Sequence, residues 1–201
     1  MLVAFTGTMA PRLRISGREN VPRRGAAILS PNHISDADPA FVFHSTPRSL
    51  WYMAKSELFA MGILGPLIRF VQTFPVDQRS LDRAALRYTE QLLKRGHAVV
   101  IFPEGHISKT GELQPLFPGA VAIALRAQVP VVPVGLSGTT LIIPHGSLWP
   151  RPTLAPVRVH FGRAIRFDDI LQLPKREQRA AATSRLEEAI RAARAVARGA
   201  R

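Results

Sequence analysis

The sequence predicts an α/β protein: a single domain built on one mixed β-sheet flanked by helices. Short apolar runs recur at residues 26–29, 49–54, 74–76, 99–102, 130–136 and 157–161, the fourth of them rich in β-branched residues. Between the third and fourth of these, residues 80–95 switch to helical spacing, which makes a strand–helix–strand unit. Length and composition agree, since 201 residues with 46% apolar and 20% charged side chains can bury a real core as one domain, residues 1–201.

In chain order, residues 1–10 are apolar but too short to span a bilayer, and they lack the basic start of a secretory signal. Residues 12–24 are basic and turn-rich. The run Ala26-Ala27-Ile28-Leu29 reads as a buried strand that opens onto Ser30-Pro31-Asn32-His33-Ile34-Ser35-Asp36-Ala37-Asp38-Pro39. Ser35 or Asp36 is the expected cap of a helix through Ala40-Phe41-Val42-Phe43. A strand that ends at His33 presents its imidazole at the edge of the sheet, where α/β proteins build their sites. Asp38, inside the first helical turn, can fold back to it. A carboxylate on one ring nitrogen fixes the tautomer and leaves the other nitrogen to take a proton.

Residues 49–54 form the next strand, which delivers Lys55. Residues 58–71 are apolar nearly all round, with Arg69 the one charge, and read equally as a core helix or as an element dipping into lipid. After the short strand Phe74-Pro75-Val76 come Asp77, Gln78 and Arg79. Ser80 caps an amphipathic helix with Leu81, Ala85, Tyr88 and Leu92 on one face and Gly96 at its end. The strand Val99-Val100-Ile101-Phe102 then leads into Pro103-Glu104-Gly105-His106-Ile107-Ser108-Lys109, a stiff turn that favours a placed Glu104 side chain. A short helix over residues 119–128 precedes the strand at 130–136, whose two prolines, Pro130 and Pro133, predict an edge position or irregular pairing. Residues 127–150 are free of charge, but Pro130, Pro133 and Pro144 make them strand and loop rather than a membrane span. The strand at 157–161 ends at Gly162. From Lys175, Ala182, Leu186, Ala189, Ile190, Ala193 and Val196 mark one face of a helix over residues 175–198, and arginines crowd the remainder.

Net charge is +13, which calls for an anionic partner. Nucleic acid is disfavoured, because aromatics are only 7% and no nucleic-acid-binding motif is present. Lipid phosphate fits better, and the basic helix either packs on the core or binds an anionic membrane surface. There is no cysteine, so no thiolate can serve as metal ligand or nucleophile. The remaining histidines, His44, His97, His145 and His160, stand without partners at metal-ligand spacing, and no metal is implied. Gly135-Leu136-Ser137-Gly138-Thr139 lacks the final glycine of a nucleophile elbow.

The four motifs His33-x-x-x-x-Asp38, Phe74-Pro75-Val76-Asp77 with Arg79, Phe102-Pro103-Glu104-Gly105 and the 129–134 strand occur in one order over residues 17–167. In this the chain resembles the glycerolipid acyltransferase family, typified by 1-acyl-sn-glycerol-3-phosphate acyltransferase. The resemblance implies a glycerol-3-phosphate acyltransferase-like fold and acyl transfer from an acyl thioester to the free hydroxyl of a lysophospholipid. It implies His33 and Asp38 as the catalytic pair, Lys55 and Arg79 near the acceptor phosphate, and Glu104 with Gly105 positioning the glycerol. Gln78 stands where the family has its arginine, and His106 and Ile107 replace the usual Thr and Arg, so Lys109 is the candidate substitute. Backbone N–H groups near His33 are the expected oxyanion donors. The donor is expected to be acyl-coenzyme A or acyl carrier protein, with no cofactor. The expected location is the cytoplasmic face of a membrane, peripheral or monotopic. The competing readings are a membrane-surface binding protein of the same fold and a lipid or thioester hydrolase.

Overall fold

A computed structural model describes residues 2–60, 72–76, 83–147 and 149–199. Its core is one seven-stranded sheet in the order β1-β7-β6-β2-β5-β3-β4. The strands are β1 (Arg14–Ser16), β2 (Ala27–Pro31), β3 (Leu50–Lys55), β4 (Thr73–Val76), β5 (Ala98–Val100), β6 (Val131–Ser137) and β7 (Arg158–Phe161). Neighbours run parallel throughout except β6 and β7, so the sheet is mixed, as the sequence predicts. The central strand, β2, is buried at all five positions, which is why it reads as a continuous apolar run rather than an alternation.

Helices cover both faces. On one, α2 (Asp38–Ser45) packs Phe41 and Val42 against Leu29, Val100 and Phe161, next to the helix α1 (Leu2–Met9). On the other, α3 (Arg83–Lys94), α4 (Gly119–Ala127) and α5 (Lys175–Arg198) pack Ala85, Leu92, Ile123, Leu186 and Ile190 against Ile28, Val99 and Val131. Of the predicted α3 face, Ala85 and Leu92 are buried and Tyr88 lies at the rim, edge-on to Phe74 and Trp51. Leu81, Ser80 and most of the apolar segment 58–71 lie outside the described residues; residues 56–60 form a 3₁₀ turn. Among the described residues no helix is long and apolar enough to cross a membrane.

Three expectations change. The basic stretch after residue 12 contributes an edge strand, β1, parallel to β7. The strand with two prolines is interior rather than at an edge. Pro133 sits there because even-numbered residues of β6 bond β2, where Ile28 and Asn32 N–H donate to the Pro130 and Val134 carbonyls. Odd ones face β7, where the chain bulges between Phe161, paired with Val134, and Ile165, paired with Val131. The missing Pro133 N–H falls in that bulge, and its carbonyl still accepts from Gly162 N–H. In α5 the buried stripe is Ala182, Leu186, Ile190, Ala193 and Ala197, with Val196 exposed and Arg194 buried. Most other α5 arginines have carboxylate partners: Arg176 with Glu177, Arg191 with Glu187, and Arg185 with Asp169, whose carboxyl that bond draws down to about 2.

A helix comes close to the sheet at Gly135 of β6. A methyl group there would lie 2.1 Å from the Ala193 carbonyl oxygen, whereas at Gly119, the first residue of α4, it would meet nothing. Gly135→Ala is therefore expected to destabilise the fold by about 2–4 kcal/mol, since a helix must lift off the sheet. Gly119→Ala should leave the thermal midpoint unchanged or raise it; equal midpoints for the two variants would disprove the close approach.

Candidate active site

The site forms where β2 leaves the middle of the sheet. Because β2, β5 and β3 run parallel with Leu29, Val100 and Tyr52 in register, the residues just beyond them gather at one edge. Those residues are His33, Glu104 and Lys55. Asn32 makes the exit rigid: fully buried, it accepts the Leu136 N–H through Oδ1 (2.7 Å) and donates through Nδ2 to the Leu136 carbonyl (3.3 Å). Its side chain thus pairs with β6 as a backbone residue would.

His33 is held on every side but one. Its N–H donates to Glu104 Oε1 (2.6 Å), its carbonyl accepts from Ser108 N–H (2.8 Å), and its ring stacks on Phe102 with centroids 4.1 Å apart. Nδ1 lies 2.9 Å from Asp38 Oδ2. A carboxylate only accepts, so Nδ1 carries the proton and Nε2 is left basic, with no protein partner among the described residues. The side chain is 16% exposed, enough for a ligand to reach that nitrogen.

Asp38 is fully buried and fully bonded. Oδ2 also accepts Ile34 N–H (2.6 Å) and Ser35 N–H (2.9 Å), and Oδ1 accepts the buried Thr139 hydroxyl (2.6 Å). These bonds, with the positive end of α2, compensate a charge that burial alone would make costly. The predicted caps differ: Ala37 occupies the N-cap position, and α2 starts at Asp38 with Pro39 in its first turn. Ser35 instead ties down the loop, accepting from Ala37 N–H and donating to the Ile143 carbonyl. Nothing local in the sequence marks Thr139, whose partner lies 101 residues away.

Glu104 stands just beyond the end of β5. It is fully buried, with Oε1 on His33 N–H and Oε2 on Gln114 N–H (2.8 Å). Burial pushes its carboxyl up, and the two backbone bonds oppose that. Both oxygens accept backbone N–H groups, so Glu104 braces the His33 loop. The N–H groups of His33, Ile34 and Ser35 are all engaged within the protein. Gly105 has φ +68°, with the exposed Phe117 ring lying over it.

The loop beyond is fastened from α5. Arg194 Nη2 donates to the Gly111 carbonyl and to Glu112 (3.1 Å), and Arg198 reaches the same two residues. The Arg198 and Arg194 bonds hold the Glu112 carboxyl below the ordinary range. Lys109 is exposed on this loop and forms no ion pair among the described residues. Lys55 ends β3, its side chain outside the described set; Arg79 lies outside it altogether.

Glu104→Gln is expected to turn an amide NH₂ toward one of the two backbone N–H donors, costing about 1–3 kcal/mol. Hydrogen exchange at the His33 and Gln114 amides should then speed up; unaltered exchange at both would remove the bracing role.

A family model described as Acyltransferase matches residues 12–137. The chain is 28% identical to the 1-acyl-sn-glycerol-3-phosphate acyltransferase of Bacillus subtilis, covering 89% of this chain and 86% of that one. It is 32% identical to the enzyme of that name from Limnanthes douglasii over 78% of this chain, and 34% identical to the one from Cocos nucifera over 71%. Those matches span 56% and 47% of the two plant proteins, about half their length. The crystal structure of the Thermotoga maritima 1-acyl-sn-glycerophosphate acyltransferase superposes with a TM-score of 0.74 at 26% identity, covering 96% of this chain and 75% of that one. With His33 and Asp38 set as described and the matched region enclosing both, this chain belongs to the acyltransferase family.

Proposed function

We propose that the chain transfers a fatty acyl group from an acyl thioester to the free hydroxyl of 1-acyl-sn-glycerol-3-phosphate, giving phosphatidate in phospholipid biosynthesis. The observation that carries this is the His33–Asp38 pair, with its proton on Nδ1 and Nε2 open at the sheet edge. The acceptor hydroxyl gives its proton to Nε2 as its oxygen forms a bond to the thioester carbonyl carbon. The tetrahedral oxyanion then collapses, the carbon–sulfur bond breaks, and the thiolate takes the proton back from Nε2. Asp38, fixed by four hydrogen bonds, orients the ring and stabilises the imidazolium formed midway. The substrate oxygen is itself the nucleophile, so no acyl-enzyme is required.

Lys109, on the loop bonded to His33, is the proposed partner of the acceptor phosphate, with Lys55 and Arg79 as further candidates. Lysine suits this as a point charge and arginine as a fork. The donor is acyl-coenzyme A or acyl carrier protein; both present the thioester that the mechanism uses.

Thiol release from palmitoyl-coenzyme A, measured with and without 1-acyl-sn-glycerol-3-phosphate and with the lipid products identified, tests the reading. Acceptor-dependent release that yields phosphatidate, and that His33→Ala abolishes, is expected. Release that ignores the acceptor would make the protein a thioesterase, and normal turnover by His33→Ala would sink the base assignment. Thr139→Val should lower kcat about tenfold to a hundredfold by removing a hydrogen bond to a buried charge. Thr139→Ser should recover most of it; a Val variant with full kcat would show that Asp38 needs no such support.

A further inference from the structure

The chain between β6 and β7, residues 138–157, leaves and returns at one point, where Gly138 lets the Pro156 carbonyl come close. Its base is fixed to the catalytic motif by Thr139 on Asp38 and by Ser35 on the Ile143 carbonyl. Its far part carries large apolar side chains into solvent: Trp149 is 79% exposed and Leu154 72%. Trp149 shares the wall of an open depression with His145 and the exposed Arg151.

A second stretch runs alongside. Thr153 N–H donates to the Met9 carbonyl and Arg14 N–H to the Val157 carbonyl, so residues 9–14 flank residues 153–157. Arg12 and Arg14 are exposed there, and Arg14 sits in register beside Arg158 of β7. Like charges side by side repel. None of Arg12, Arg14, Arg151 or Arg158 forms an ion pair among the described residues. Residues 1–18 and 113–167 contain no Asp or Glu, and Glu19, just beyond the first stretch, acts electrostatically on His160 of β7. An exposed tryptophan and leucine set among unpaired arginines match an interface with an apolar layer beneath a layer of phosphates.

We propose that this face, formed by residues 12–14 and 149–158, docks on an anionic lipid surface. Trp149 and Leu154 enter the headgroup–acyl boundary, and Arg12, Arg14, Arg151 and Arg158 meet lipid phosphate. The loop that touches the membrane is the loop that holds Asp38, so an amphiphilic substrate in the bilayer lies near the base. The proposal rests on the lipid-acylating reading but is tested apart from it, because binding needs no turnover.

The test is partition of the full chain onto vesicles of phosphatidylcholine with and without phosphatidylglycerol. Tryptophan emission is read alongside, with bromine-labelled acyl chains as quencher. Only Trp51 and Trp149 contribute, and Trp149→Phe isolates the second. Expected are binding that needs phosphatidylglycerol, a blue shift and quenching that Trp149→Phe removes, and a loss of about fivefold in partition for Arg12→Ser or Arg151→Ser. Trp149→Ser with Leu154→Ser should weaken binding about tenfold or more, while thiol release with detergent-dispersed acceptor stays normal. Undiminished vesicle binding by that double variant, or no change in Trp149 emission on bound vesicles, would overturn the proposal. So would concentration-dependent self-association that the double variant disperses without any vesicle binding, which would assign the face to a second copy of the chain.

Discussion

The buried carboxylate of Asp38 is the constraint on which the rest of this structure turns. A carboxylate with no exposed surface is tolerable only while it is well hydrogen-bonded, and here the donors come from separate places. Two are backbone N–H groups of its own loop, one is the imidazole, and one is a hydroxyl at the end of β6. Satisfying one atom therefore sets the loop after β2, the start of α2, the orientation of His33 and the departure of the chain from β6. The site is a consequence of neutralising that charge as much as of presenting a base.

Glu104 makes the same point from the neighbouring strand. It is also fully buried with both oxygens on backbone N–H groups, which ties the end of β5 to the end of β2 and to Gln114. Two buried carboxylates thus hold opposite sides of one histidine, Asp38 through the ring and Glu104 through the main chain. Nε2 is the ring nitrogen that neither of them engages.

What the sequence shows and what it hides divide by range. The strands at β2, β5 and β7 are legible as short apolar or alternating runs bounded by turn residues, and the His33–Asp38 pair is legible because the two lie only five residues apart. Asn32 and Thr139 complete the site through partners 104 and 101 residues away, and no local pattern announces either. Pro133 misleads because its usual incompatibility with an interior strand is removed by a bulge in β7 that the sequence signals only through Gly162. Arg194 misleads because a long charged side chain on an arginine-rich helix reads as solvated, whereas its partners lie on the site loop.

That last contact bears on the order of events during synthesis. The loop from Ser108 to Gln114 shapes the His33 main chain, yet its fasteners, Arg194 and Arg198, lie 82 and 86 residues further along the chain from Glu112. A polypeptide emerging N-terminus first would complete β2, β5 and the His33–Asp38 loop long before α5 exists. The nascent chain would hold its base with a slack loop, and the arrangement would tighten only when the last helix settled onto Gly135.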